Sequence, residues 1–228
     1  MQDTGEPIRA EGADIVTSRI MVAGRVLAML ATIAGAAVAD AVATPASPAV
    51  TAARSASGSP FVADSFAVPT VVETPGFKLV PLGPELVNVD FAAYMSSIEH
   101  LQKTFTRSTA WPHPTISAAD AMRDMETEQA RFKARTSFAY AVLTPDGRRE
   151  RGCVYVYPST VEGYDAVVRI WVTKAEFDAG FDAELYAWVT RWMAAEWPLR
   201  AVAYPGRSIA WTAWDPLVAA SGPAAGAP

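Results

Sequence analysis

The residues with chemical potential gather between Tyr164 and Arg207. Gly180 stands where the stretch KAEFDAGFD meets a tryptophan-rich helix, AELYAWVTRWMAAEW. A strand, YDAVVRIWVT, leads into that turn, and a second strand, RAVAY, follows the helix and is closed by Pro205 and Gly206. A strand that turns through glycine into a helix aims free backbone N–H groups at the crevice beyond the strand end, which suits an anion such as a phosphate. Asp182, at the same helix start, is a good N-cap whose carboxylate would accept from the very N–H groups a phosphate needs. Between Lys174 and Glu184 the acids Glu176, Asp178, Asp182 and Glu184 face a single lysine, a local charge of −3. Repulsion from those acids in a partly exposed site costs an incoming anion on the order of 1–3 kcal/mol.

Other reactive residue types lead to quieter readings. Cys153 is the only cysteine, so no intrachain disulfide forms, and a lone thiol fits a reducing compartment. It sits in a strand between Gly152 and Val154 with no histidine nearby in sequence, as a small core residue does. Two histidines and one cysteine offer no metal-ligand spacing, so no metal is expected. A net charge of −5, without a basic cluster interleaved with aromatics, gives no footprint for nucleic acid.

The elements that must hold these residues begin late in the chain. The first sixty residues contain no aromatic, while all seven Trp and all seven Tyr lie between Tyr94 and Trp214. An Ala, Ser, Thr and Pro-rich stretch buries too little to repay its ordering entropy. One domain is therefore expected over residues 66–217, after an extension over 1–65 and before a disordered tail over 218–228. Within the extension, Val26 to Ala39 is an uncharged, mostly apolar run behind Arg19 and Arg25. It is too short to span a membrane, for which ~20 residues are needed. It fits a signal-peptide core, with Ala41-Val42-Ala43 as a small-x-small cleavage site, so 22–43 is signal-like. The competing reading is an alanine-rich extension on a cytoplasmic protein, and the acids Asp3, Glu6, Glu11 and Asp14 ahead of the run favour it.

Inside the domain, FKLVPL (Phe77 to Leu82) alternates as a strand, and Pro84 opens a helix over ELVNVDFAAYM. Trp111-Pro112-His113-Pro114 must be irregular, since two prolines remove donors and restrict their neighbours. Ser117 and Asp120 form a capping box, and Met122, Met125, Gln129 and Phe132 share the stripe of a helix reaching about Arg135. SFAYAVLT, RGCVYVYP and YDAVVRIWVT then follow, separated by Pro145-Asp146-Gly147 and by Gly163, as an antiparallel meander. RAVAY returns through a helix and can lie parallel to its neighbour. Leu185, Val189, Trp192 and Met193 form an apolar stripe that packs in the core. Trp111, Trp211 and Trp214 are candidates for a pocket rim.

Strand, two helices, three meander strands, helix and strand is an order that resembles the GNAT superfamily of N-acetyltransferases, near the bacterial branch that acetylates ribosomal-protein N-termini. FKLVPLGPE, the helix end Met95-Ser96-Ser97, SFAYAVL, RGCVYVYPS, GYDAVVRIWV and FDAGFD carry the resemblance, which covers about Phe66 to Arg207. It implies an α/β (α+β) fold with a mixed, mostly antiparallel central sheet flanked by helices. It implies transfer of an acetyl group from acetyl-CoA to a primary amine on a protein N-terminus or a small molecule. YDAVVRIWVT would pair with the pantetheine arm through Trp171, Val172 and Thr173, and would splay from RAVAY to open a slot for the thioester. The family's pyrophosphate loop, Arg/Gln-x-x-Gly-x-Gly/Ala, aligns with Phe177 to Asp182, placing Gly180, Phe181 and Asp182 at the cofactor. Only Gly180 matches, with Phe177 in the polar first position and Asp182 in the small last one.

Such catalysis rests on positioning an amine against the thioester, helped by a base and a proton donor. Asp165, sharing a strand face with Val167, Arg169 and Trp171, is a candidate base; as a strand-end Asp it equally suits a solvated turn. Glu99 and His100 follow the first helix, where such enzymes build the acceptor site, although a histidine there also suits the helix dipole. Tyr204 is a candidate proton donor, or else a rim aromatic under Trp211. The rival to the transferase is a noncatalytic GNAT-like binding module that has lost pyrophosphate recognition.

Overall fold

A computed structural model describes residues 61–221; the signal-like segment 22–43, the rest of 1–60 and the last residues of the tail lie outside the described residues. Six strands form one sheet in sequence order: β1 (Val72–Glu73), β2 (Lys78–Pro81), β3 (Phe138–Leu143), β4 (Glu150–Pro158), β5 (Ala166–Val172) and β6 (Val202–Ala203). All neighbours pair antiparallel except β5 and β6, which are parallel. Turns of a few residues permit the antiparallel pairs, while the long return to β6 passes through helices, as a parallel partner requires.

Both faces of the sheet are covered, so the middle strands lose the polar half of their alternation. Every residue of β3 is buried. Phe138, Tyr140 and Val142 face one core with Val154, Val156, Val168 and Ile170, whereas Ala139, Ala141 and Leu143 face the other with Cys153 and Trp171. The first core is roofed by α5 (Phe181–Glu196) through Leu185, Val189, Trp192 and Met193, the stripe that the periodicity marks out. The second lies under α1 (Val87–Met95), α2 (Ile98–Leu101) and part of α3 (Ala118–Lys133).

Local signals explain where the helices start. Pro84 opens a 3-10 turn that runs directly into α1. Ser117 and Asp120 form the expected reciprocal capping box on α3, in which the Asp120 N–H donates to Ser117 Oγ at 3.1 Å and the Ser117 N–H to Asp120 Oδ2 at 2.9 Å.

Three expectations need correction. KAEFDAGFD is not one turn: Lys174–Asp178 is a short helix, α4, because Thr173 caps it by accepting the Glu176 N–H. Glu99 and His100 follow the first helix as expected, but in a helix of their own, α2, which continues as a π-helical turn over Gln102–Thr106. The tail expected over 218–228 begins later, because a helix, α6 (Trp211–Ser221), runs past Leu217. At the other end Val62, ahead of the expected boundary at Phe66, is already part of the first core. Among the described residues no helix is long and apolar enough to cross a membrane.

Candidate functional site

Strands β5 and β6 stay in register for only two residues, Ala166 with Val202 and Val167 with Ala203. Beyond them β5 continues to Val172 while the opposite chain turns away through Pro205-Gly206-Arg207. A cavity of about 290 Å³ opens in the gap, lined by Val168 to Val172 on one side and Pro205 to Arg207 on the other. Phe105, Phe177 and Trp211 supply apolar walls, while Lys103, Arg169, Arg207 and Asp182 supply charge. Three cations against one carboxylate make this a basic slot.

The hydrogen bonds of β5 fix which backbone groups look into it. The Thr173 N–H donates to Arg151 O on the β4 side, whereas the Ala166 N–H donates to Ala201 O on the β6 side. Alternation then turns the backbone of Val168, Ile170 and Val172 toward the slot, and that of Arg169 and Trp171 toward β4. Of the three residues expected to touch pantetheine, only Val172 therefore offers slot-side backbone. Trp171 contributes its side chain to the cavity wall, and Thr173 is occupied as the cap of α4. Val168 and Ile170, which the family alignment passed over, are readable from the period of the strand once its register is known.

The start of α5 also differs from expectation. Its N-cap is Gly180, in the left-handed region at φ +83°, where a Cβ would strain the backbone although nothing crowds the space. Asp182 lies inside the first turn and makes no cap. Its carboxylate is held by both terminal nitrogens of Arg207, with Nη2 to Oδ1 at 2.6 Å. Two other acids of this stretch, Glu176 and Asp178, are matched as well, while Glu184 is exposed and pairs with no cation among the described residues. Glu176 accepts from Arg149 Nη1 at 2.6 Å and from Arg151 Nη2 at 2.6 Å, and Asp178 accepts from Lys174 at 2.6 Å. Burial pushes the Glu176 carboxyl up, but the two arginines overcome it and hold it below its ordinary value. Repulsion of an incoming anion, expected from the local charge of −3, is thus offset at Glu176, Asp178 and Asp182 by Arg149 and Arg151 around the start of β4, by Lys174 and by Arg207 beyond β6. Gly180 and Phe181 do not line the cavity; Phe181 is buried under the Arg151 guanidinium, 3.3 Å from its ring centroid.

Among the four candidate catalytic residues, the structure brings only His100 to the slot. Its ring lies 4.8 Å from that of Phe177, beside the end of β5 at Val172. Burial lowers its pKa, Asp182 opposes that shift, and Lys174 adds to it. Val172 is the far end of β5, about 13 Å from the point where β6 departs at ~3.3 Å per residue. His100 thus stands by the α5 start and not at the apex of the divergence. Asp165 spends its carboxylate on the N–H groups of Arg200 at 2.7 Å and Ala201 at 3.0 Å, which hold its pKa down and fasten the closed end of β5 to the chain entering β6. Glu99 is exposed, 4.0 Å from Lys103. Tyr204 follows β6, but its ring packs on Tyr186 at 5.6 Å and not under Trp211, and burial pushes its pKa up to about 12. Of the three tryptophans considered for a rim, Trp211 lines the slot, whereas Trp111 packs on Tyr94 and Trp214 on Tyr164.

Arg169 and Arg207 escaped notice in the sequence because neither sits in a recognisable motif. Arg169 stacks on Phe105, 4.2 Å from its ring centroid, and donates to the Phe105 carbonyl. Among the described residues it has no carboxylate in ion-pair range.

A second cluster lies away from the slot. Asp90 of α1 lies beside Glu150 at the head of β4, and Cys153 Sγ donates to Glu150 Oε1 at 2.9 Å. All three are buried, with a potential ligand atom of each within 4.8 Å of the others, a grouping that sequence spacing does not reveal. Burial pushes the Asp90 carboxyl up to about 7 and drives the Glu150 carboxyl and Cys153 thiol upward too.

No protein-family model matches the chain, and no curated protein does. In structure it is similar to GNAT-family acetyltransferases. A ribosomal-protein-S5-alanine acetyltransferase from Vibrio fischeri is 13% identical, covers 68% of this chain and 82% of its own, and superposes with a TM-score of 0.47. A protein assigned to the GNAT acetyltransferase family, from Bordetella pertussis, is 18% identical over 68% of this chain and 88% of its own, at a TM-score of 0.43. A ribosomal L7/L12 α-N-protein acetyltransferase in complex with coenzyme A is 12% identical over 54% of this chain and 67% of its own, at 0.39. At such identities no residue role passes from these proteins to this chain.

Proposed function

We propose that the chain is a GNAT-like N-acetyltransferase that moves an acetyl group from acetyl-CoA to a primary amine, on a peptide N-terminus or a small molecule. The observation that carries this reading is the basic slot where β5 outlasts its parallel partner. A strand with unpaired backbone on one side accepts an extended amide chain by adding to the sheet edge. Val168, Ile170 and Val172 would hold a pantetheine arm in this way, against the wall made by Trp171. The phosphates would lie toward Val172 and α5, where the cations and the helix N-terminus favour negative charge. The thioester would then lie near the apex, beside Val168.

At the apex the amine nitrogen attacks the thioester carbonyl carbon and the C–N bond forms, the C–S bond breaks to release the coenzyme A thiolate, and the nitrogen loses a proton that balances the thiolate's charge. Tyr204 reaches the apex by register, but its ring turns onto Tyr186, and none of Asp165, Glu99 or His100 stands there to take it. The chain contributes alignment, and the proton passes to water. His100 acts at the phosphate end. The ground for a noncatalytic module was a helix start blocked by Asp182 and a repulsive loop, and neither obstacle remains once Gly180 caps α5 and Arg207 holds Asp182.

Acetyl-CoA at millimolar concentration should raise the melting temperature, since a ligand that binds only the native state stabilises it. Acetyl transfer to a small panel of amines should follow. No thermal shift and no transfer would sink the reading. In His100→Gln, KM for acetyl-CoA should rise several-fold with kcat within a factor of two; a fall in kcat of ~10²-fold or more would instead make His100 the base.

A further inference from the structure

Arg207 is built into the slot with unusual care for a loop residue. Gly206 has φ +77°, and a Cβ there would lie 2.5 Å from Nε1 of Trp211, so the turn can only take this shape beneath that indole. The turn is closed by the Gly206 N–H to Ile209 O at 2.7 Å and the Arg207 N–H to Tyr204 O at 3.1 Å. Trp211 is the first residue of α6 and lines the slot, so the end of the domain presses the turn into place. The side chain is then aimed by Asp182, whose two oxygens engage the two terminal nitrogens of Arg207. Of five guanidinium N–H donors this fork uses two, and the remainder are available to an anion in the cavity.

The slot calls for one. Arg169 brings a half-buried cation to it without a carboxylate partner among the described residues, and Lys103 adds a third positive group. Meanwhile Phe177, at the loop position where the family pattern expects Arg or Gln, is uncharged.

Resting on the transferase reading, we infer that Arg207 is the cation that recognises the pyrophosphate of acetyl-CoA, supplied from the turn after β6 in place of the glycine loop, and that Asp182 is its positioning residue. The phosphate-binding function has moved about 25 residues along the chain without leaving the start of α5, as the Asp182–Arg207 separation shows.

The test compares acetyl-CoA with S-acetylpantetheine, which keeps the thioester and pantetheine but has no pyrophosphate. Dissociation constants would be measured for the full chain, for Arg207→Lys, and for the double variant Asp182→Asn/Arg207→Gln, which removes both charges together and leaves no buried ion unpaired. The double variant should bind acetyl-CoA roughly ten- to hundredfold more weakly and S-acetylpantetheine within twofold of the full chain. Arg207→Lys, which keeps the charge and loses the fork, should fall between. Unchanged acetyl-CoA affinity in the double variant overturns the inference and leaves the transferase reading intact. Equal weakening for both ligands overturns it too, because the residue then only supports the fold. Failure of the unaltered chain to bind either ligand removes the transferase reading itself, and this assignment with it.

Discussion

Glu176, Asp178 and Asp182 crowd one short stretch of chain, yet each holds a cation, whereas Asp90 and Glu150 come from distant segments and meet in the core with no cation among the described residues. The crowded group looks hostile to anions in the sequence and is neutralised in the fold. The scattered group is invisible in the sequence and is where the fold bears real electrostatic cost. Charge density along a chain says little about charge density in space. What decides is whether tertiary register delivers a counter-ion, and here β4 and the turn before it deliver Arg151 and Arg149 to the first group and only a thiol to the second.

The two groups should respond to pH with opposite sign. Asp90 is raised from its ordinary value to about 7, so the native state holds a proton that the unfolded chain gives up above pH ~4. Its stabilising contribution is complete below the unfolded pKa and is lost as pH rises to about 7. Asp90→Asn should therefore be more stable than the parent at pH 8 by about 2–3 kcal/mol, with the gain shrinking toward pH 5. Urea unfolding at the two pH values measures this, and a variant less stable at both would break the contrast. Glu176 runs the other way, since its carboxyl is held low and its contribution fades as pH falls toward 4. Glu176→Gln should cost about 2 kcal/mol at pH 7, with the deficit narrowing in acid. The smallest effect belongs to Lys174→Ala, an exposed pair one turn apart with Asp178, which should change stability by about 0.3 kcal/mol and fade with added salt. A loss above 1 kcal/mol would show that the crowded stretch depends on each partner separately.

Features that depend on near neighbours were legible in the sequence. The meander strands, the Ser117–Asp120 box and the α5 stripe each rest on periodicity or on contacts within a turn. Helix α4 was not, because five residues carry no period and the Thr173 cap is a single residue. The slot was half legible: its place beside β5 followed from the topology, while its charge did not. Asp182 looked like a cap only because Arg207 lies far along the chain, and Asp165 looked like a base because nothing local shows the backbone it fastens at Arg200 and Ala201.

The brief register between β5 and β6 also gives the strand two populations of amide. Those of Arg169 and Trp171 are locked into the ladder with β4 and that of Val168 into the last rung with β6, whereas those of Ile170 and Val172 face the slot. Alternate residues of a single strand should then exchange hydrogen with solvent at different rates, slow and fast in turn. A ligand that completes the sheet edge would equalise them, so isotope uptake along seven residues becomes a gauge of occupancy that needs no knowledge of the acceptor.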